Sequence, residues 1–197
     1  MGVKVGDVFT YQLVGFANSH VDFDVPENFV DINNTKYYQL EITKVEAPIV
    51  SYAVTWEFNN GTKSNYDGMI NLEDGCFYAG GNAGVYEYYG IYAANLANGS
   101  LPRSGAPKDE FNPAISETQI VSYPDGDREI HFLHIEYEEY DITDQTFTRW
   151  GITHDYVSFD KQTGIMVNFK SIKIYNSPEI ILEVEYALVS SNVLKVS

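Results

Sequence analysis

Between Val50 and Phe58 the chain alternates without a break. Val50, Tyr52, Val54, Trp56 and Phe58 fall on one side of an extended chain, and Ser51, Ala53, Thr55 and Glu57 on the other. Side chains of a strand point alternately to its two faces, so a period of two marks a strand with one buried face. From Glu179 to Val189 the same period puts Ile180, Leu182, Val184, Tyr186 and Leu188 in phase, while the second face mixes Glu179, Glu183 and Glu185 with Ile181, Ala187 and Val189. Less regular runs cover Val8 to Phe16, Lys36 to Val45, Ala114 to Tyr123, Arg128 to Tyr140, Thr146 to Phe159 and Ile165 to Ile174. A chain patterned in this way folds as a sheet.

Turn chemistry separates the runs. Asn59, Asn60, Gly61 and Thr62 carry an Asn-Gly hairpin signal, because both residue types tolerate the positive φ of a type I′ turn. Pro124, Asp125, Gly126 and Asp127 read the same way; Asp160 to Gly164 predicts a longer hairpin closed by glycine, and Asn176, Ser177 and Pro178 another. Hairpins between consecutive strands make neighbours antiparallel.

Two stretches break the alternation. Val85 to Leu96, reading VYEYYGIYAANL, predicts a short helix capped near Asn98 and Gly99. Leu101 to Pro113, with Pro102, Gly105, Pro107 and Pro113, predicts a long irregular loop of the kind that often acts as a lid. Asn18 to Asn34 is a second long polar stretch. With no shift in composition along the chain, residues 1–197 are expected to form one β domain. About nine to eleven strands must curl or close, since flat open sheets of that width are unfavourable.

Composition narrows the function. The 197 residues hold 12 Lys plus Arg against 28 Asp plus Glu, a formal charge of −16. Nucleic acid and anionic lipid surfaces are poor partners, because both need clustered cations. A chain of this size can bury about 70% of its unfolded surface, enough for a self-sufficient core. Cys76 is the single cysteine, so no internal disulfide forms, and its neighbours Glu73 and Asp74 give it no activating cation. No run reaches the roughly 20 apolar residues of a membrane span, and the chain is nearly in its first strand by Val8, like a shortened start rather than a native one. Triplets for N-glycosylation occur at Asn33, Asn60 and Asn98, close to the number that chance supplies.

Reactive constellations are sparse. His131 and His134 stand on opposite faces of a strand, so they cannot chelate one metal together, and His154 beside Asp155 reads as a surface pair. Nucleophile-elbow, zinc-protease and phosphate-loop motifs are missing, and the glycines at 80, 81 and 84 lack the context for phosphate. The acidic clusters Asp22/Asp24/Glu27, Asp125/Asp127/Glu129 and Asp141/Asp144 do not follow the EF-hand spacing. Carboxylate pairs among Glu136, Glu138, Glu139, Glu183 and Glu185 could serve a glycosidase, but they also suit a solvated sheet face that guards an edge. No catalytic residue, metal site or cofactor is expected.

Aromatic residues are the surplus: 16 Tyr, 11 Phe and 2 Trp. Tyr suits strands and cross-strand pairs, which explains most of them as core. On a curled sheet they can also line a pocket for a lipophilic or sugar ligand. Trp56, Tyr86, Tyr88, Tyr89 and Trp150 are the candidate ligand contacts.

Several landmarks together resemble a group of archaeal exported or cell-surface proteins of unknown function. The opening VKVGDVFTYQL is similar to their first strand, with a Gly-Asp before an aromatic alternating segment. IYAANLANGS resembles their central segment, with Ser100 where an Asp is usual; GDREIHFLHIEY, YVSFDKQTGIMVNF and LVSSNV resemble later units. The resemblance implies export, with a signal peptide and a membrane anchor outside the chain, and brings no catalytic residues. By analogy it also suggests a sheet similar to the half-barrels of bacterial lipoprotein carriers.

The expectation is therefore an all-β protein: one strongly curved antiparallel sheet, half-barrel or barrel, with one or two short helices. It is read as an extracellular or cell-surface module that binds a lipophilic or other small ligand in its concave face. A structural or adhesive protein acting through assembly is the alternative, and a secreted carboxylate-dependent hydrolase the third reading. The sequence alone does not fix an activity.

Overall fold

The computed structural model describes residues 2–19, 27–79, 82–86, 90–141, 148–176 and 179–195. Six strands form the first half: β1 (Val8–Ser19), β2 (Thr35–Glu46), β3 (Ile49–Phe58), β4 (Lys63–Asn71), β5 (Cys76–Ala79) and β6 (Asn82–Tyr86). Five follow: β7 (Glu117–Tyr123), β8 (Gly126–Asp141), β9 (Thr148–Asp160), β10 (Met166–Asn176) and β11 (Glu179–Ser191). Among the described residues there is one short helix, α1 (Glu27–Asn33), between β1 and β2.

All eleven strands belong to one antiparallel sheet with the order β6-β5-β4-β3-β2-β1-β11-β10-β9-β8-β7. Each half is a meander of antiparallel hairpins, of which the turn residues predict β3–β4, β7–β8 and β9–β10, while Ser177 and Pro178 of the turn predicted before β11 lie outside the described residues. The alternation does not mark β4, β5 and β6, and the pairing of β1 with β11 joins the halves. β6 and β7 are the two edges and do not pair with each other, so the sheet is open and not a closed barrel. The bend sits beside β1. Only Val8 to Tyr11 pair with β2, opposite Tyr38 to Glu41. Beyond them the two strands part and α1 fills the gap. Phe29 and Ile32 of the helix rest on Gly15, where a Cβ would stand 3.0 Å from Phe29 and 3.2 Å from Ile32. Two wings, β2 to β6 and β11 to β7, thus fold toward each other about this seam.

Alternation decides what faces the fold. Phe9, Tyr11 and Leu13 of β1, Val50, Tyr52 and Val54 of β3, Leu133 and Ile135 of β8, and Val157 and Phe159 of β9 are all buried, and all join one apolar cluster. Burying side chains of this size stabilises by about 1.5–3 kcal/mol each. Glu57, on the opposite face of β3, is buried as well. The ammonium groups of Lys36 and Lys63 cover it at 2.6 and 2.8 Å.

The helix expected at Val85 to Leu96 does not form among the described residues. Val85 and Tyr86 end β6, and Ile91 makes an isolated bridge to Ile165. This segment starts the strap that connects the two edges of the sheet, and it lies on the concave face. Tyr92 donates its N–H to the carbonyl of Gly164 at 2.8 Å, and its ring stacks on Phe159 at 4.3 Å. Ile91, Tyr92 and Ile115 are buried in the central cluster. A segment crossing between two layers needs apolar residues where it touches either one, which leaves no helical period for the sequence to show.

The loop from Leu101 to Pro113 is irregular, as the prolines predict, but it is pinned. Arg103 is fully buried, with its guanidinium 4.2 Å from the centre of the Tyr92 ring and Nη1 donating to the Ile91 carbonyl at 2.7 Å. The side chain of Asn112 accepts from the Arg103 N–H and donates back to its carbonyl. On the opposite wing the N–H of Gly105 reaches the Glu73 carbonyl at 2.8 Å. The strap therefore ties both wings across the mouth of the fold.

Two turns differ in type. In the β7–β8 connection Gly126, at φ 124, is left-handed while Asp125 is not, so the loop Pro124–Asp125 is not type I′, and the β3–β4 turn departs likewise. Only Gly61, at φ 84, is left-handed in the β3–β4 connection; Asn59 and Asn60 are not. Gly61 donates to Phe58 and the loop spans residues 59–62, so it is a longer turn closed by glycine and not a two-residue type I′ turn.

Candidate functional site

The seam gathers tyrosines. Tyr11, Tyr38, Tyr52 and Tyr186, from β1, β2, β3 and β11, line a cavity of about 40 Å³ together with Leu40, Ile70, Met166 and the strap residues Gly90 and Ile91. Inward-pointing residues of a bent sheet converge, so rings from non-adjacent strands touch. Tyr38 packs edge-on against Tyr186 at 6.0 Å, with β1 between their strands, and against Tyr11 at 6.4 Å. Its hydroxyl lies 2.8 Å from that of Tyr66 on β4. Tyr52 covers Gly68, where a Cβ would stand 2.7 Å from the ring. Burial pushes the Tyr11 hydroxyl far above the ordinary tyrosine range, so it stays a neutral donor.

The cavity has room for water or a compact apolar group, not for a drug-sized ligand or an acyl chain, which take several hundred Å³. No carboxylate lies among its described lining residues.

Of the expected contacts, Trp56 sits next to the cavity and not in its lining. It packs on Tyr38 at 6.0 Å and on Phe58 at 5.1 Å, and its indole N–H donates to Thr35 Oγ1 at 2.7 Å. Tyr86 is in β6 and Trp150 in β9, with side chains outside the described residues; Tyr88 and Tyr89 lie outside them entirely. The cavity instead uses tyrosines whose in-phase positions mark them only as core.

Strand alternation separates the histidines as expected. His131 points inward and is fully buried. Its Nε2 donates to the Leu96 carbonyl at 3.0 Å, and Nδ1 lies 2.8 Å from the Thr118 hydroxyl. Burial lowers its pKa, against the opposing effect of the Leu96 carbonyl. His134 and His154 point to the outer face, and Asp155 is buried on the inner one, so His154 and Asp155 do not meet. His134 and His154 instead come together across β8 and β9, with Nε2 and Nδ1 3.3 Å apart.

Two acidic clusters lie partly outside the described residues: Asp22, Asp24 and Asp144 are not among them, while Glu27 opens α1 and Asp141 ends β8. In the third, the chain's own groups engage the acids. Asp125 is 3.2 Å from Arg128, Ser122 donates to Asp127 at 2.7 Å, and Lys161 donates to both oxygens of Glu129 at 2.9 Å.

The chain matches no protein-family model, no curated protein and no solved structure. Function has to be argued from the geometry.

Proposed function

We propose that the chain is an extracellular binding domain that holds a small lipophilic group between the two wings of its sheet, at the tyrosine-lined cavity. The observation that carries this reading is the cavity itself. It lies at the bend, where the two wings converge, its wall is apolar with phenol tips, and the strap closes it at Gly90 and Ile91. A wall of this kind binds by burial and orients a ligand through one or two hydroxyls. Its volume favours a compact group, and a longer ligand requires the strap to lift from Gly164 and Ile165.

Native mass spectrometry of protein purified from its own source tests this directly. The expected result is one small molecule retained per chain, released by organic extraction, and lost from Ile70→Phe, which adds a ring to the cavity. Xenon added to the extracted protein should shift the methyl resonances of Ile70, Ile91 and Leu40, and benzene should shift those of Ile91 and Leu40 once Ile70→Ala enlarges the cavity. A bare mass from the native source, together with unmoved methyls in the presence of both probes, would overturn the reading. A dimer mass without ligand would favour assembly instead.

A further inference from the structure

We propose that His134, Glu136 and His154 form a binding site for a divalent transition-metal ion, zinc foremost, on the outer face of the sheet. The site follows from alternation and register together. His134 and Glu136 are two apart on β8 and share a face, and Glu136 is directly opposite His154 on β9. His134 Nε2 stands 3.3 Å from His154 Nδ1, which stands 3.3 Å from Glu136 Oε2, and all three donor atoms lie within 4.8 Å of one another. Ligand atoms ~2.0–2.1 Å from a tetrahedral zinc are ~3.3–3.4 Å apart. Two edges of such a polyhedron are therefore already in place, and the third is no longer than 4.8 Å.

The surroundings support an ion over a loose surface pair. His134 stacks on Tyr156 at 4.6 Å with the rings 6° apart, which holds its imidazole plane. Ile172 of β10 is opposite His154 on the other side. Two residues from Ile172 on the same face of β10, Lys170 is engaged by Glu183 at 2.7 Å. The chain's charge of −16 attracts cations. Two imidazoles and one carboxylate suit zinc and its neighbours better than calcium or magnesium, which prefer oxygen alone. Three protein donors leave a position for water or for a donor from another molecule. His134 and Tyr156 also line a hollow of about 310 Å³.

Isothermal titration with zinc, with cobalt spectra as a second readout, tests the site in the whole chain. Zinc should bind one to one, cobalt should give the absorption of a tetrahedral site, and nitrogen-15 shifts should mark Nδ1 of His154 and Nε2 of His134 as the ligands. His134→Ala, His154→Ala and Glu136→Gln should each weaken zinc binding by tenfold or more while the circular dichroism of the sheet is unchanged. Calcium should not compete. Zinc binding of equal strength in all three variants, or wild-type protein that takes up zinc no better than calcium, would overturn the proposal.

Discussion

Tyr11 reaches past β11 to donate its hydroxyl to the main-chain carbonyl of Met166 on β10, at 2.9 Å and across 155 residues of sequence. The ladder between β10 and β9 is irregular at that point, between Met166 and Asn168, and the phenol supplies a hydrogen bond there. First strand and tenth are thus fastened directly across the seam. Tyr11→Phe keeps the ring and removes the bond, leaving a buried carbonyl without that donor. The expected loss is about 1–2 kcal/mol, read as a lower urea midpoint with an unchanged m-value.

Arg103 fastens the strap in the same sense. Its guanidinium stacks on Tyr92 and bonds the Ile91 carbonyl, so it couples the start of the strap to the middle. Arg103→Met keeps most of the bulk and removes both interactions. Stability should fall by about 2–4 kcal/mol, from the desolvated cation–π contact and the charged hydrogen bond together. Trypsin should then cut after the exposed Lys108 faster than in the wild type, ahead of any other site.

His131 predicts a pH dependence. Its folded pKa lies below its ordinary value, so near and below that ordinary value the unfolded chain holds more protons than the folded one. Stability is then complete at neutral and alkaline pH and is lost as pH falls through the ordinary value toward the folded one. A whole proton corresponds to about 1.4 kcal/mol per pH unit. His131→Gln can still donate to Leu96 but cannot titrate. It should be less stable at pH 7.5, and its urea midpoint should change less than that of the wild type between pH 7 and pH 5.

The fold was largely legible because alternation and turn residues act locally. Gly126 and Gly164 both take positive φ in the hairpins they predict, and Val50, Tyr52 and Val54 of the in-phase set in β3 are buried, while Trp56 and Phe58 are half-buried. At Gly164 the requirement is double, since φ is 77 and the Tyr92 carbonyl packs where a Cβ would be. The strap was not legible, because Ile91 and Tyr92 are apolar for contacts made far away in sequence. The site was hidden for a related reason. Alternation tells which face a residue takes, not which residue stands opposite. Residues 142–147, which link β8 to β9, contain no Gly or Pro to fix the register, so the meeting of Glu136 with His154 had no local signal. Tyr11, Tyr38, Tyr52 and Tyr186 gave none either, because a strand tyrosine in phase with the core looks alike whether or not a cavity adjoins it.

Glu57 has a pH signature of the same sign as His131, in a more acidic window. Hydrogen bonds from Lys36, then Lys63 and Tyr37, outweigh its burial and hold the carboxyl down to about 2. A carboxylate with a lowered folded pKa stabilises the fold fully above its ordinary range, and that contribution is lost as pH falls from there toward 2. Glu57→Gln leaves the two ammonium groups close together without their shared anion. The variant should therefore be less stable than the wild type at pH 7, and the gap should shrink steadily between pH 4.5 and pH 2. Urea midpoints at pH 7, 4 and 2.5 check this. A gap that stays constant over the three would mean that Glu57 acts through packing and not through its charge.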